Sequence, residues 1–389
     1  MAVARTVLQV VPALDEGGAE RSTVEIAQAI VAAGGRALVA TRGGRLAGAI
    51  AAAGGKVFPM PVHSKNPLTI LANRGRLLRL IRAERVDLVH VRSRAPAWSA
   101  LLAARAAKVP LVATYHGAYE AMNPLKRHYN SAMTRADIVI ANSEFTAASI
   151  RAQYPIDARR LRVIPRGVDV AVFDPRQAGR ERGEALARQW GVRHAAGALR
   201  LLLPARLSPW KGHRTAIEAI ASLASATHPG ASGQRLILQL VFVGDAEGRD
   251  DIRAGLQHEI DSRGVRDMIH FVGHCADMPG AYSWADIVLS PSTRPEAFGR
   301  VAVEAGAMGK PVIAADHGGA RETIVDGETG VLVAPGDAKG LAEAIAALAA
   351  MGEAGRAAIG ARARARVERH FSLDAMRRAT LEAYEAAIV

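Results

Sequence analysis

Residues 286–316, DIVLSPSTRPEAFGRVAVEAGAMGKPVIAAD, decide the fold. The apolar run DIVLS ends in a Pro/Ser/Thr loop, Gly299 opens a turn, the small-residue stretch VAVEAGAMG follows, and PVIAA is a second apolar run. Strand, helix and strand within about thirty residues make a βαβ unit, and such units build parallel sheets covered by helices. Two carboxylates lie eight positions apart on this unit, Glu296 in the loop and Glu304 about one turn inside the helix. A helix N-terminus attracts phosphate because its first backbone N–H groups lack intrahelical partners. A ligand that meets those amides and both carboxylates has an anionic centre between two hydroxyl-bearing parts. A nucleotide diphosphate sugar answers that description, with Glu304 on the ribose and Glu296 on the sugar. The macrodipole alone also favours Glu near a helix start. Against that plain reading, VAVEAGAMG holds no other charge, and a buried Glu without a polar partner costs several kcal/mol.

Working outward, the first half of the chain alternates short apolar runs (TVLQVV, ALVAT, KVFPM, DLVHVR, PLVATYH, DIVIAN, LRVIPR) with helical patterns. The second half starts again with LRLLLPAR, LILQLVFVGD, MIHFVGH, DIVLSPS, PVIAAD and GVLVAP. The pattern predicts an α/β chain of two domains, 1–170 and 183–371, joined by a linker near 167–182. It ends in helices near 338–349, 354–370 and 372–387. Open parallel sheets bind ligands beyond the carboxyl ends of their strands, so a cleft between two such edges is the expected site.

With 389 residues, 50% hydrophobic and 4% aromatic, the core must be built from Ala, Val, Leu and Ile. The single cysteine, Cys275, excludes a disulfide framework and is read as a small hydrophobe suited to a reducing compartment. No stretch of about 18 uninterrupted apolar residues occurs and the first apolar run is too short for a signal peptide, so a cytoplasmic location is expected. A net charge of +13 admits nucleic acid, an anionic membrane or an acidic small substrate. Only seven of the 50 basic residues are lysine, which suggests coding bias and discounts the charge. RARARVERH at 362–370 is read as a solvated helix face. Neither zinc-finger spacing nor interleaved aromatics support a nucleic-acid partner.

Arg206 and Lys211 follow the strand LRLLLPAR at its carboxyl edge, where a bidentate guanidinium and a compact ammonium can neutralise a leaving diphosphate. Gly17 and Gly18 follow the first strand, where a bare backbone can approach a ligand closely. His116 ends PLVATYH beside Gly117, and Asn142 with Ser143 reads as a strand end and helix cap. There is no Gly-x-Gly, which argues against dinucleotide and P-loop sites. There is no Asp-x-Asp and no close histidine pair, so no metal and no cofactor are expected.

EAFGRVAVE resembles the signature of the family 4 retaining glycosyltransferases. The likeness extends to GGAER (17–21), YHG (115–117), NSEFT (142–146), IPRGVD (164–169), ARLSPWKG (205–212), FVG (271–273) and GGARETIVDGETG (318–330). It implies a GT-B fold, with two Rossmann-like domains facing across a cleft and a C-terminal helix, 372–389, crossing back onto the first domain. The first domain would bind the acceptor and the second the nucleotide sugar. It also implies a histidine at position 116 touching the donor sugar. The expected donor set is Gly17, Gly18, Gly273, Phe298, Gly299, Arg300 and Glu304, with Arg206, Lys211, Glu296 and His116 acting at the reacting centre. The amides around Phe298 and Gly299 would stabilise the leaving diphosphate, and GHCADMP at 273–279 would lie near the base. Arg166 departs from the Asn of many relatives. HVRSRAPAWSA and YHGAYEAMNPLKRHYN resemble lipopolysaccharide core glycosyltransferases, some of them mannosyltransferases. The reading is therefore a metal-independent transfer from a UDP- or GDP-sugar, GDP-mannose among them, to a glycan or glycolipid. Lys126, Arg127 and Arg92 would meet an anionic acceptor or membrane face. An epimerase of the same fold, or a basic nucleic-acid binding protein, is the alternative.

Overall fold

A computed structural model of the chain describes residues 5–15, 17–119, 123–192, 195–225, 236–246 and 248–388. It divides into two compact units, Met1–Gly167 with Leu373–Val389 (unit 1) and Val168–Ser372 (unit 2).

In unit 1 the strands are β1 (Thr6–Val10), β2 (Arg36–Thr41), β3 (Lys56–Pro59), β4 (Leu88–Val91), β5 (Leu111–Tyr115), β6 (Ile138–Ala141) and β7 (Leu161–Val163). They alternate with α1 (Gly18–Ala32), α2 (Ala47–Ala52), α3 (Pro67–Ala83), α4 (Arg94–Ala107), α5 (Pro124–Asn130) and α6 (Glu144–Gln153). The sheet is wholly parallel in the order β3-β2-β1-β4-β5-β6-β7. Its central strands are buried along their length because helices cover both faces.

Unit 2 opens with α7 (Pro175–Gln189) and repeats the scheme with β8 (Leu199–Pro204), α8 (His213–Ser225), β9 (Leu238–Val243), α9 (Asp250–Ser262), β10 (Ile269–Gly273) and α10 (Met278–Trp284). It continues through β11 (Ile287–Ser290), α11 (Arg300–Ala307), β12 (Val312–Ala315), α12 (Ala320–Thr323), β13 (Val331–Val333), α13 (Ala338–Ala350) and α14 (Gly352–His370). The sheet order is β10-β9-β8-β11-β12-β13, again parallel. The last helix, α15 (Leu373–Ile388), belongs to unit 1 and packs on α1 through a cluster that includes Leu373, Met376 and Tyr384.

Two expectations need correction. Of the expected linker 167–182, residues from Val168 on belong to unit 2: α7 is capped by Asp174, packs on α10, and Arg182 binds Asp277 through two 2.7 Å bonds. Arginines of 362–370 do not simply form a solvated face. Arg362 donates to the Glu328 carbonyl, Arg364 to Phe173 and Ala307, and Arg366 to Thr323 and Glu322. The long side chains satisfy carbonyls that helix ends and loops leave unpaired. The loop ATHPGASGQ and residues 120–122 of YHGAYEAMNPLKRHYN lie outside the described residues.

Candidate active site

Strand order reverses between β8 and β11 in unit 2, and loops leaving a parallel sheet at that point diverge and open a crevice. The loop after β8 carries Arg206 and Lys211, and the loop after β11 carries Ser292 and Glu296. Lys211 Nζ lies 2.8 Å from Glu296 Oε1, and Ser292 Oγ donates to the same oxygen. The two loops are held against each other at Gly212, whose φ is +79°: a Cβ there would overlap the Pro291 carbonyl, so only glycine fits. The Lys211 ammonium also sits 4.3 Å from the Trp210 ring centroid, a cation–π contact. Arg206 is exposed.

The entry to α11 is Gly299 in the left-handed conformation, with φ 83°. Glu304 is 9% exposed, and its carboxylate accepts from Arg300 Nε at 2.9 Å through Oε1 and from Tyr282 Oη at 2.9 Å through Oε2. The missing partner that made this residue stand out in the sequence is thus supplied from within unit 2. The Phe298 side chain is buried against Phe371, ring centroids 5.7 Å apart, which leaves only its backbone for a ligand. Gly273 ends β10 and, with Leu207, Gly244, Asp245, Arg253 and Phe271, lines a cavity of about 320 Å³ at the carboxyl ends of β8, β9 and β10. That volume suits a small ligand or part of a larger one.

In unit 1 the order reverses between β1 and β4. Gly17 and Gly18 follow β1, Arg92 follows β4, His116 follows β5, and Arg166 lies beyond β7. Arg166 Nη2 donates to His116 Nδ1 at 2.7 Å, and a Cβ on Gly18 would overlap the Arg166 guanidinium. Burial, reinforced by Arg166, Arg92 and His90, holds the His116 pKa well below the ordinary imidazole value. Glu20 on α1 is raised, chiefly by its own burial. Arg92 does not face an acceptor or a membrane: it is 3% exposed, donates to Gln9 Oε1 at 2.9 Å and to Ser22 Oγ, and so braces β1, α1 and β4. Lys126 and Arg127 are exposed on α5, and Arg127 also donates to the Gln153 carbonyl. Ser143 caps α6, accepting from Thr146 N at 3.0 Å.

Residues 16–172 match the family described as Glycosyltransferase Family 4, and residues 191–366 match Glycosyl transferases group 1. The chain is 33% identical over 322 residues to the D-inositol 3-phosphate glycosyltransferase of Arthrobacter sp. (strain FB24), covering 78% of this chain and 71% of that one. A solved glycosyltransferase from Rickettsia africae superposes with a TM-score of 0.90 at 34% identity, covering 99% of both chains. Anabaena HepE, solved in complex with UDP-glucose, superposes with a TM-score of 0.81 at 26% identity over 98% of this chain and 99% of that one. The chain belongs to glycosyltransferase family 4. The two parallel sheets with flanking helices are those of GT-B glycosyltransferases.

Three groups at the sites of this glycosyltransferase escaped the sequence reading. Ser292 and His317 are linked, His317 Nε2 donating to the Ser292 carbonyl at 2.8 Å, which fixes the loop that presents Glu296. Tyr282 lies 22 positions before Glu304 on a different helix, so no periodicity relates them. Arg166 was visible only as a departure from the family pattern. Among the described residues no three His, Cys, Asp or Glu side chains group as metal ligands, and no single helix is long and apolar enough to cross a membrane.

Proposed function

We propose that this glycosyltransferase moves a hexose from a nucleoside diphosphate sugar to an acceptor hydroxyl, with retention at the anomeric carbon and without a metal. The observation that carries the reading is the Lys211–Glu296–Ser292 group at the β8/β11 reversal, next to the start of α11. It sets a cation, a carboxylate and helix amides at the place where a parallel sheet binds ligands. UDP is the favoured nucleotide, because a relative of this fold binds UDP-glucose. The diphosphate meets the amides at Gly299 and Arg300 together with Arg206 and Lys211, whose attraction grows as the glycosidic bond breaks. Glu296 accepts from a sugar hydroxyl through Oε2, Glu304 accepts from the ribose, and the base enters the cavity at Gly273. His116, kept neutral, donates to a sugar hydroxyl and does not act as a base.

A panel of UDP- and GDP-sugars, GDP-mannose included, is screened by thermal shift, and release of the free diphosphate is followed on adding acceptors. One donor should raise Tm, and UDP or GDP should accumulate only with acceptor present; interconversion of sugars without release would favour an epimerase. EDTA should leave turnover unchanged. Loss on chelation, restored by magnesium or manganese, removes the side-chain account of leaving-group stabilisation. Lys211→Ala should lower turnover at least tenfold, about 1.4 kcal/mol in the barrier, with a smaller effect on Tm.

The acceptor we propose is an anionic glycan or glycolipid of the lipopolysaccharide-core kind. The D-inositol 3-phosphate in the name of the Arthrobacter relative shares the phosphate chemistry. The surface that supports this is α5, where Lys126 and Arg127 follow a Leu125 that is 84% exposed. Basic residues near an anionic lipid surface contribute about 1 kcal/mol each. Sedimentation with anionic vesicles at low salt should exceed that with neutral ones; equal binding to both, or none, points to a soluble acceptor.

A further inference from the structure

We propose that Arg166 is a positioning residue that fixes the tautomer of His116 and so turns its Nε2–H toward substrate. A guanidinium carries five N–H donors and no acceptor, so the 2.7 Å contact between Arg166 Nη2 and His116 Nδ1 has one polarity, with Nδ1 accepting. A neutral imidazole that accepts at Nδ1 carries its proton on Nε2. His116 Nε2 is buried and meets no protein partner among the described residues. A buried N–H without an acceptor is destabilising, and a ligand hydroxyl oxygen would satisfy it.

The position of the guanidinium is built rather than incidental. Arg166 is 8% exposed, the missing side chain of Gly18 leaves it room, and the Glu20 carboxylate lies close enough to interact electrostatically. Protonation of the ring would place a second charge beside Arg166 and Arg92, and burial opposes it further. Unit 1 uses the same device a second time. Arg92 Nη1 lies 3.3 Å from His90 Nδ1, and His90 Nε2 is 2.7 Å from Thr114 Oγ1. There the ring's N–H has its acceptor inside the protein; at His116 it does not.

The inference rests on the reading that His116 contacts the transferred sugar, but the two can fail separately. Full-length protein labelled with 15N at histidine is observed through long-range 1H–15N couplings, with His116→Gln assigning the signal. The native chain should show Nε2 protonated and Nδ1 bare. Arg166→Lys, which still offers only donors, should keep that form, whereas Arg166→Met should give a mixture of tautomers. A native ring protonated at Nδ1 overturns the proposal without any variant, and so does an unchanged Nε2–H ring in Arg166→Met. With the active donor from the panel, Arg166→Met should lower kcat about tenfold and cause no further loss in the His116→Gln background. Equal losses in both backgrounds would mean a merely structural role and also overturn it. Addition of UDP-glucose reports on the other reading: an Nε2 signal that no nucleotide sugar moves removes the sugar contact and leaves the tautomer assignment standing.

Discussion

Glu304 has a structural role on the page and a proposed binding role, and one substitution can separate them. Its two oxygens hold Arg300 and Tyr282 inside unit 2, so Glu304→Ala removes one hydrogen bond from each. The expected cost is about 1–3 kcal/mol of folding stability, and donor affinity should fall by about 1.5–3 kcal/mol if the carboxylate also accepts from the ribose. Melts with and without UDP separate the two effects. A variant that melts earlier yet binds UDP as tightly as the native chain would assign Glu304 to structure alone. Glu296 is different: it is part-exposed, and both its bonds converge on Oε1. Glu296→Gln should therefore change Tm little and turnover strongly.

At the scale of elements, α11 is short and is followed by a half-buried cation. Lys310 follows it, donates to the Ser283 carbonyl at 3.3 Å, and burial pushes its pKa down to about 8. Below that pH both folded and unfolded chains hold the proton, and the fold bears the full cost of a desolvated charge. Between about 8 and the ordinary value of 10.5 the folded chain releases its proton first, so this group makes stability rise with pH across that window. Lys310→Met keeps the packing and removes the charge. It should melt higher than the native chain at pH 7, and the gap should close by pH 10.5, as read from melting curves across that range. A gap independent of pH would show that the fold does not lower the Lys310 pKa.

At the scale of the whole molecule, α15 returns to unit 1 and completes one face of its sheet. Tyr384 on α15 lies 2.6 Å from His90 Nδ1 beneath β4, and both are buried. Tyr384→Phe removes that hydrogen bond and should cost about 1–3 kcal/mol, whereas a chain ending at residue 372 should expose the sheet face of unit 1 and leave unit 2 folded. Limited proteolysis reads this directly: cleavage of the shortened chain should begin in unit 1. The sequence by itself determined the thirteen strands of the described residues, the doubling of the α/β scheme and the three final helices, because parallel strands covered on both faces are largely continuous apolar runs and their helices keep a 3.6-residue period. It also placed His116 at a strand end and Gly17, Lys211 and Glu296 in the loops that follow strands, since each lies between an apolar run and the next helical pattern. Only the tertiary structure decided which of them meet. Lys211 with Glu296, Arg166 with His116 and Tyr282 with Glu304 are 85, 50 and 22 positions apart. It also buried Arg92, a residue that local charge had put at the surface. Strand order in a parallel sheet, not sequence distance, brings such pairs together, and no local pattern encodes it.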